Sequence, residues 1–258
     1  MEIKHIGTRG IVVNYNDLVD TDFSCTTNIY IINDPQTKVI IDTFLGPDIM
    51  AETFKALTLD PAQINKVINT HSDWDHIWGN SYFPNAQIIA HQGFAEHVDY
   101  PESAEFVEIR KYAKGPIHIV EPSITFDSKL KLPRIGLEIF YTPGHSADSI
   151  SVYDEKDHIL IVGDNCEAPI PSYVDAFLLE EHLKSLIKYL EFDFEYIIPG
   201  HGAVMTRKDL LVNIQYLEDL ISGEQAQLDK YLEGDFKMNH LTNLMYMGEN
   251  KTPNHEKE

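Results

Sequence analysis

The sequence predicts an α/β protein in which two βα layers stack face to face, with helices covering both outer faces. Short β-rich runs bounded by turn signals alternate with helical spacing, and the two halves of the chain share a cadence of strands followed by a helix. No internal repeat of fixed short period interrupts that cadence. With 258 residues, of which 43% are hydrophobic and 24% charged, the chain can bury a large core unaided, which excludes disorder of the whole.

In chain order, residues 11–15, 28–33 and 38–42 read as strands, the last two joined by Asp34-Pro35. Ile49, Phe54 and Leu57 recur with helical spacing, so a helix is expected over 48–57 with Asp48 as its N-cap. A strand over 66–70 runs into His71, and one over 86–90 runs into His91. A helix-rich stretch over 93–113 is interrupted by Pro101. Strand signals return at 124–126, 137–142, 149–153 and 158–162, and Pro169 and Pro171 mark a loop. Leu179, Leu183, Leu186, Ile187 and Leu190 form one face of an amphipathic helix over 178–190. A strand over 195–198 ends in Pro199-Gly200-His201. One long helix is expected over 207–232, then an irregular tail over 233–258. In that tail Leu241, Leu244, Met245 and Met247 are available to dock on the body or on a partner, which leaves a homodimer open.

Twenty basic residues against 41 acidic ones give a net charge of −21, which repels nucleic acid and anionic lipid. Neither is expected as a partner. Cys25 and Cys166 form no CxxC spacing, so a reducing compartment is the default. The N-terminus lacks the apolar stretch of a signal peptide, and no run has the length of a membrane span. A cytoplasmic location is the expectation.

The chemistry concentrates in His71-Ser72-Asp73-Trp74-Asp75-His76, directly after a strand. Four metal-competent side chains fall within this run, and imidazole with carboxylate suits a divalent cation. His145 follows Pro143-Gly144, Asp164 follows Gly163, and His201 follows Pro199-Gly200, each after another strand. A single His after Pro-Gly is ordinarily a turn residue. Seven such groups at four strand ends are not explained by turn chemistry, and they indicate a bound metal centre.

The set resembles the metallo-β-lactamase superfamily, whose hallmark is HxHxDH, then a His near PGH, an Asp in GD and a His in PGH. His71, Asp75, His76, His145, Asp164 and His201 match it, and the resemblance runs from about residue 10 to 206. It implies a four-layer αβ/βα sandwich over 1–206, with 207–258 as a C-terminal helix and tail packed on or extending the same domain. It also implies two divalent metal ions per chain, zinc foremost, with iron or manganese as alternatives. His71, Asp73 and His145 would hold one ion, Asp75, His76 and His201 the other, and Asp164 would bridge them.

One departure is Asp73, where the family has its second His. A carboxylate there hardens the site toward iron or manganese. The flavodiiron branch also carries a carboxylate at that position, but adds a flavodoxin-type domain for which the chain beyond His201 is too short.

The expected function is a metal-dependent hydrolase in which a metal-bound hydroxide cleaves a small ester, thioester, lactone or phosphodiester. Asp75 would be both ligand and the catalytic group that orients the nucleophile or relays a proton. The alternatives are a diiron redox or oxygen-handling protein and a non-catalytic ligand-binding member of the fold. Trp74 and Tyr173 are expected to contact a small-molecule substrate, in a pocket shaped by residues 81–115 and 168–176. Trp78 is expected to pack under the metal loop and Cys166 to be buried. His5, His91, His97, His118, His158, His182, His240 and His255 are read as structural or solvated.

Overall fold

The computed structural model describes residues 1–250. Two sheets face each other. The first contains, in spatial as in chain order, β1 (Glu2–Ile6), β2 (Gly10–Tyr15), β3 (Thr27–Asn33), β4 (Lys38–Ile41), β5 (Ile64–Ile68), β6 (Gln87–His91) and β7 (Ile124–Phe126). It is antiparallel from β1 to β4 and parallel from β4 to β7. The second runs β12-β11-β10-β9-β8 in space, with β8 (Lys129–Leu132), β9 (Leu137–Tyr141), β10 (Ile150–Asp154), β11 (Ile159–Gly163) and β12 (Tyr196–Pro199). The helices are α1 (Pro47–Leu57), α2 (Trp74–Ile77), α3 (Phe94–His97), α4 (Ala104–Ile109), α5 (Leu179–Tyr189), α6 (Arg207–Ser222), α7 (Gln225–Leu228) and α8 (Lys237–Asn250). Among the described residues no helix is long and apolar enough to cross a membrane.

Both faces of each sheet are covered, so the central strands read as unbroken apolar runs. The period of two still sorts them. On β3, Tyr30 and Ile32 point between the sheets, where they join Ile139, Val152 and Ile161 from the second sheet. Ile29 and Ile31 point outward to Met50 and Phe54 of α1. On the far side, Leu160 and Val162 of β11 pack against Leu186 of α5 and Leu210 and Leu217 of α6. The result is the expected four-layer αβ/βα sandwich.

Two strands go unforeseen in the sequence. β1 is an edge strand exposed over Glu2–His5, and β8 is an edge strand that alternates Lys with Leu. Edge strands carry little of the apolar signal that marks central ones. The N-cap of α1 is Gly46 rather than Asp48, because Pro47 takes the first helical position and its missing N–H leaves no bond unmade there. The helix expected over 207–232 stops at Ser222, where Gly223 turns left-handed at φ 65°.

The largest correction concerns the tail. Residues 237–250 are helical, and those at 251–258 lie outside the described residues, His255 among them. Asparagine amides hold α8 in place. Asn239 Nδ2 donates to the carbonyl of Ile170 at 2.8 Å and to Ser172 Oγ at 3.1 Å. Asn243 Nδ2 donates to the Pro171 carbonyl at 2.8 Å, and its Oδ1 accepts from the Val174 N–H at 3.1 Å. A helix docked by amides lacks the apolar stripe by which amphipathic helices are recognised.

The sheets are tied at one end by a buried carboxylate. Asp157, in the turn between β10 and β11, accepts from Thr8 N at 3.0 Å, Arg9 N at 3.0 Å and Thr8 Oγ1 at 2.5 Å. Arg9 also reaches Asp154 of β10 at 2.5 Å and Asp34 at 3.1 Å. Burial pushes the Asp157 carboxyl up, but the bonds from Thr8 and Arg9 outweigh it and hold the group below the usual carboxylate range. The folded state therefore binds this proton more weakly than the unfolded chain. The stabilisation is complete above about pH 4 and declines as pH falls through the lower folded-state value. Asp157→Ala should cost about 3 kcal/mol in denaturant unfolding, since it strands buried donors. The difference from the parent should shrink in acid.

Candidate metal centre

β9, β11 and β12 run in one direction, so the turns after them open at the same edge of the second sheet. These turns carry His145, Asp164 and His201. From the first sheet, β5 leads through Asn69-Thr70 to His71, and α2 follows at once with Asp73 as its N-cap. This one-turn helix places Asp75 and His76 beside His71.

All seven expected residues meet at this edge. His71, Asp73 and His145 form one cluster of ligand atoms, and Asp75, His76 and His201 form another. Asp73 Oδ2 lies 3.4 Å from His71 Nε2 and 3.2 Å from His145 Nε2. Asp75 Oδ2 lies 3.8 Å from His76 Nε2 and 3.5 Å from His201 Nε2. Asp164 stands between them. Its Oδ2 is 2.9 Å from His201 Nε2, 3.7 Å from His71 Nε2 and 3.8 Å from His145 Nε2, and its Oδ1 is 3.3 Å from His76 Nε2.

Three of the four imidazoles are held from behind, while His145 Nδ1 is buried without a hydrogen-bond partner among the described residues. His76 Nδ1 lies 2.9 Å from Asp42 Oδ2, and His201 Nδ1 lies 3.1 Å from the Thr26 carbonyl. His71 Nδ1 lies 3.0 Å from Thr70 Oγ1, whose own proton goes to Asp42 Oδ2 at 2.8 Å. With these three Nδ1 atoms donating, their Nε2 lone pairs face the centre. That is how imidazoles are oriented toward a cation. His71 Nε2, His76 Nε2 and Asp164 Oδ1 are buried without a hydrogen-bond partner. Lone pairs buried in this way, on imidazoles and carboxylates, fit a divalent cation.

The electrostatics agree. Burial pulls His76 and His201 toward the neutral form, but the charge of Asp164, with that of Asp75, outweighs it and holds both well above the ordinary imidazole range. Burial likewise pushes Asp164 up, and the charges of His201, His76 and His71 overcome it and hold the carboxyl well below its usual range. The carboxylates demand positive charge at this spot, and protons answer the demand when no cation does.

Asp42 is missed by the sequence reading. It ends β4 at φ 60° and accepts from Thr70 N at 2.8 Å as well as from Thr70 Oγ1 and His76. Its only signal is a polar residue after an apolar strand. Gly200 has a packing reason. A Cβ there would sit 2.0 Å from Asp164 Oδ1 and 2.8 Å from His76 Cε1.

A cavity of about 440 Å³ opens in front of the clusters. Trp74 and Tyr173 both line it, Trp74 stacked on Tyr112 and Tyr173 edge-on to Tyr246. Trp78 is fully buried, as expected. Cys166 is buried too, and burial pushes its thiol up. The expected pocket walls need correcting. Of the segment 81–115 only His97 lines the cavity, while 168–176 contributes Ser172, Tyr173 and Asp175. Further wall comes from residues 22–25 and from Met238, Asn239, Thr242 and Tyr246 of α8. Cys25 is among them. Glu167 also faces the cavity. Its Oε2 accepts from Ser172 Oγ, and burial pushes its carboxyl up. His91 stacks on Tyr141 at 4.2 Å and belongs to the packing, as does His182, which burial lowers to about 4. His182 Nε2 lies 2.7 Å from the Asn165 carbonyl, and Asn165 Oδ1 in turn accepts from His145 N at 2.9 Å.

The sequence model of the metallo-β-lactamase superfamily matches residues 23–201. The chain belongs to that superfamily. Members typically bind divalent metal ions, in keeping with the clusters described. A probable metallo-hydrolase of Methanocaldococcus jannaschii is 30% identical over 183 residues, which cover 67% of this chain and 75% of the relative. An atrochrysone carboxyl ACP thioesterase of Aspergillus fumigatus is 25% identical over 180 residues, 69% of this chain and 51% of the relative. Among solved structures, a metallo-β-lactamase family protein of Thermus thermophilus aligns with a TM-score of 0.63 at 18% identity, covering 94% of each chain. That last likeness speaks for the fold alone.

Asp42→Ala should destabilise this superfamily member by about 3 kcal/mol in denaturant unfolding. It removes the acceptor for Thr70 N–H, the Thr70 hydroxyl and His76 Nδ1–H together.

Proposed function

We propose that the chain is a dinuclear metal-dependent hydrolase acting on a small ester, thioester, lactone or phosphodiester. The observation that carries this reading is the position of Asp164, within 4 Å of imidazoles from both ligand clusters. His71, Asp73 and His145 would hold one cation, Asp75, His76 and His201 the other, with Asp164 common to both. Divalent cations there supply Lewis acidity, lowering the pKa of a coordinated water and polarising the oxygen of the bond to be cleaved.

The chain's own residues do the rest. Asp75 sits with one oxygen among the second cluster and lines the cavity, which suits it to orient the attacking water and to take its proton. Asp42 and Thr70 fix the tautomers of His76 and His71. Trp74 and Tyr173 bound the space in which the acyl or phosphoryl group would lie. The hydrolase name of the archaeal relative and the thioesterase name of the fungal one support this reaction class. Asp73 adds a negative charge that favours a harder ion in its cluster than zinc.

Elemental analysis of protein purified without added metal, paired with a panel of esters, thioesters, lactones and phosphodiesters, tests the proposal. His76→Ala and Asp164→Ala should each lose bound metal and turnover together, and unchanged stoichiometry in both would refute the assignment. Asp73→His should keep its metal and shift selectivity toward zinc in a competition experiment. A coloured, iron-loaded protein without turnover on the panel would favour the diiron redox reading instead.

The pH dependence follows from the raised imidazole values of His76 and His201. Below those values the rings are protonated and cannot ligate, so protons compete with the cation. Calorimetric titration with metal should show proton release, with affinity falling as the pH is lowered.

A further inference from the structure

Asp22 and Asp175 bring two carboxylates to the cavity beyond those of the ligand clusters, and Glu167 brings a third. Among the described residues that line it there is no lysine or arginine. Phe23, Tyr173 and Tyr246 supply aromatic wall. Apolar surface continues to the mouth, where Met238 of α8, which lines the cavity, is 70% exposed.

Charge decides what such a cavity accepts. Two divalent cations against the carboxylates of Asp73, Asp75 and Asp164 leave a single formal positive charge. Asp22 and Asp175 more than offset it. Outside the cavity the chain's net charge of −21 extends the same sign into solution. An anionic substituent lodged away from the metal cluster loses its hydration and gains no counter-charge. A cationic one meets carboxylates and aromatic rings, both of which attract it.

Resting on the hydrolase reading above, we infer that the substrate presents an uncharged or cationic group to the wall formed by Asp22, Asp175, Phe23, Tyr173 and Tyr246. Acyl compounds that are anionic at that end are rejected. Asp22 and Asp175 are the residues that set this preference.

The test uses the full-length, metal-loaded protein and three p-nitrophenyl esters whose acyl tails end in trimethylammonium, tert-butyl or carboxylate groups. The first two should be hydrolysed with kcat/KM at least about tenfold above the third, the scale expected of one or two partly screened charges. The double variant Asp22→Asn, Asp175→Asn should narrow that gap several-fold. Asparagine keeps the Oδ1 that accepts from Phe177 N at 2.7 Å, so the loop retains its turn. High salt should narrow the gap in the parent as well. Calorimetry with the matching ethers, which have no ester bond to cleave, reads the same preference as binding. A carboxylate-tailed ester hydrolysed as fast as the others, or a gap unmoved in the double variant, overturns the inference and leaves the hydrolase reading standing. Ethers bound in the expected order, with none of the esters turned over, overturn the hydrolase reading and leave the charge preference standing.

Discussion

Three of the four imidazoles at the sandwich edge are anchored through Nδ1 and turn Nε2 to the centre. His76 leans on Asp42, His71 on Thr70 and His201 on the Thr26 carbonyl, so their remaining nitrogens converge on a small volume shared with Asp164. Burying lone pairs without partners is costly. The arrangement is maintained because the anchors belong to rigid elements. Asp42 closes β4, Thr70 follows β5, and Thr26 precedes β3. The two sheets hold these anchors at fixed positions, and the site inherits their rigidity.

This dependence explains what the sequence can disclose. The ligand residues stand at strand ends after Gly or in a compact His/Asp run, and such residues are conspicuous because no core or turn needs them in that number. The central strands are equally plain, since burial on both faces makes them continuous apolar runs. Asp42 is not visible, because a lone aspartate after a strand is also an ordinary turn residue and its meaning comes from the side chains folded onto it. β1 and β8 escape for the opposite reason: edge strands with exposed lysines and glutamates carry no apolar signature.

The cavity walls are the least legible part. Segments 22–25 and 168–176 have no periodicity to read, and α8 looks like a polar tail until its asparagines find the carbonyls of Ile170 and Pro171. Only a folded chain reveals that a segment far beyond the last ligand in sequence helps to enclose the space in front of it. Gly200 shows the same logic in miniature. Its sequence signal is a turn, whereas its spatial necessity is the room taken by Asp164.

The amide clasp between α8 and the loop at 170–174 separates two tasks within one polypeptide. The helix packs on α6 through the buried His240 and Asn243, which meet the Tyr216 hydroxyl, and presents Met238, Asn239, Thr242 and Tyr246 to the reaction space. Exchanges at Met238 and Thr242 can therefore reshape this wall while the buried His240 and Asn243 keep the helix in place. What the cavity admits can then change at those positions without disturbing the His and Asp clusters behind it.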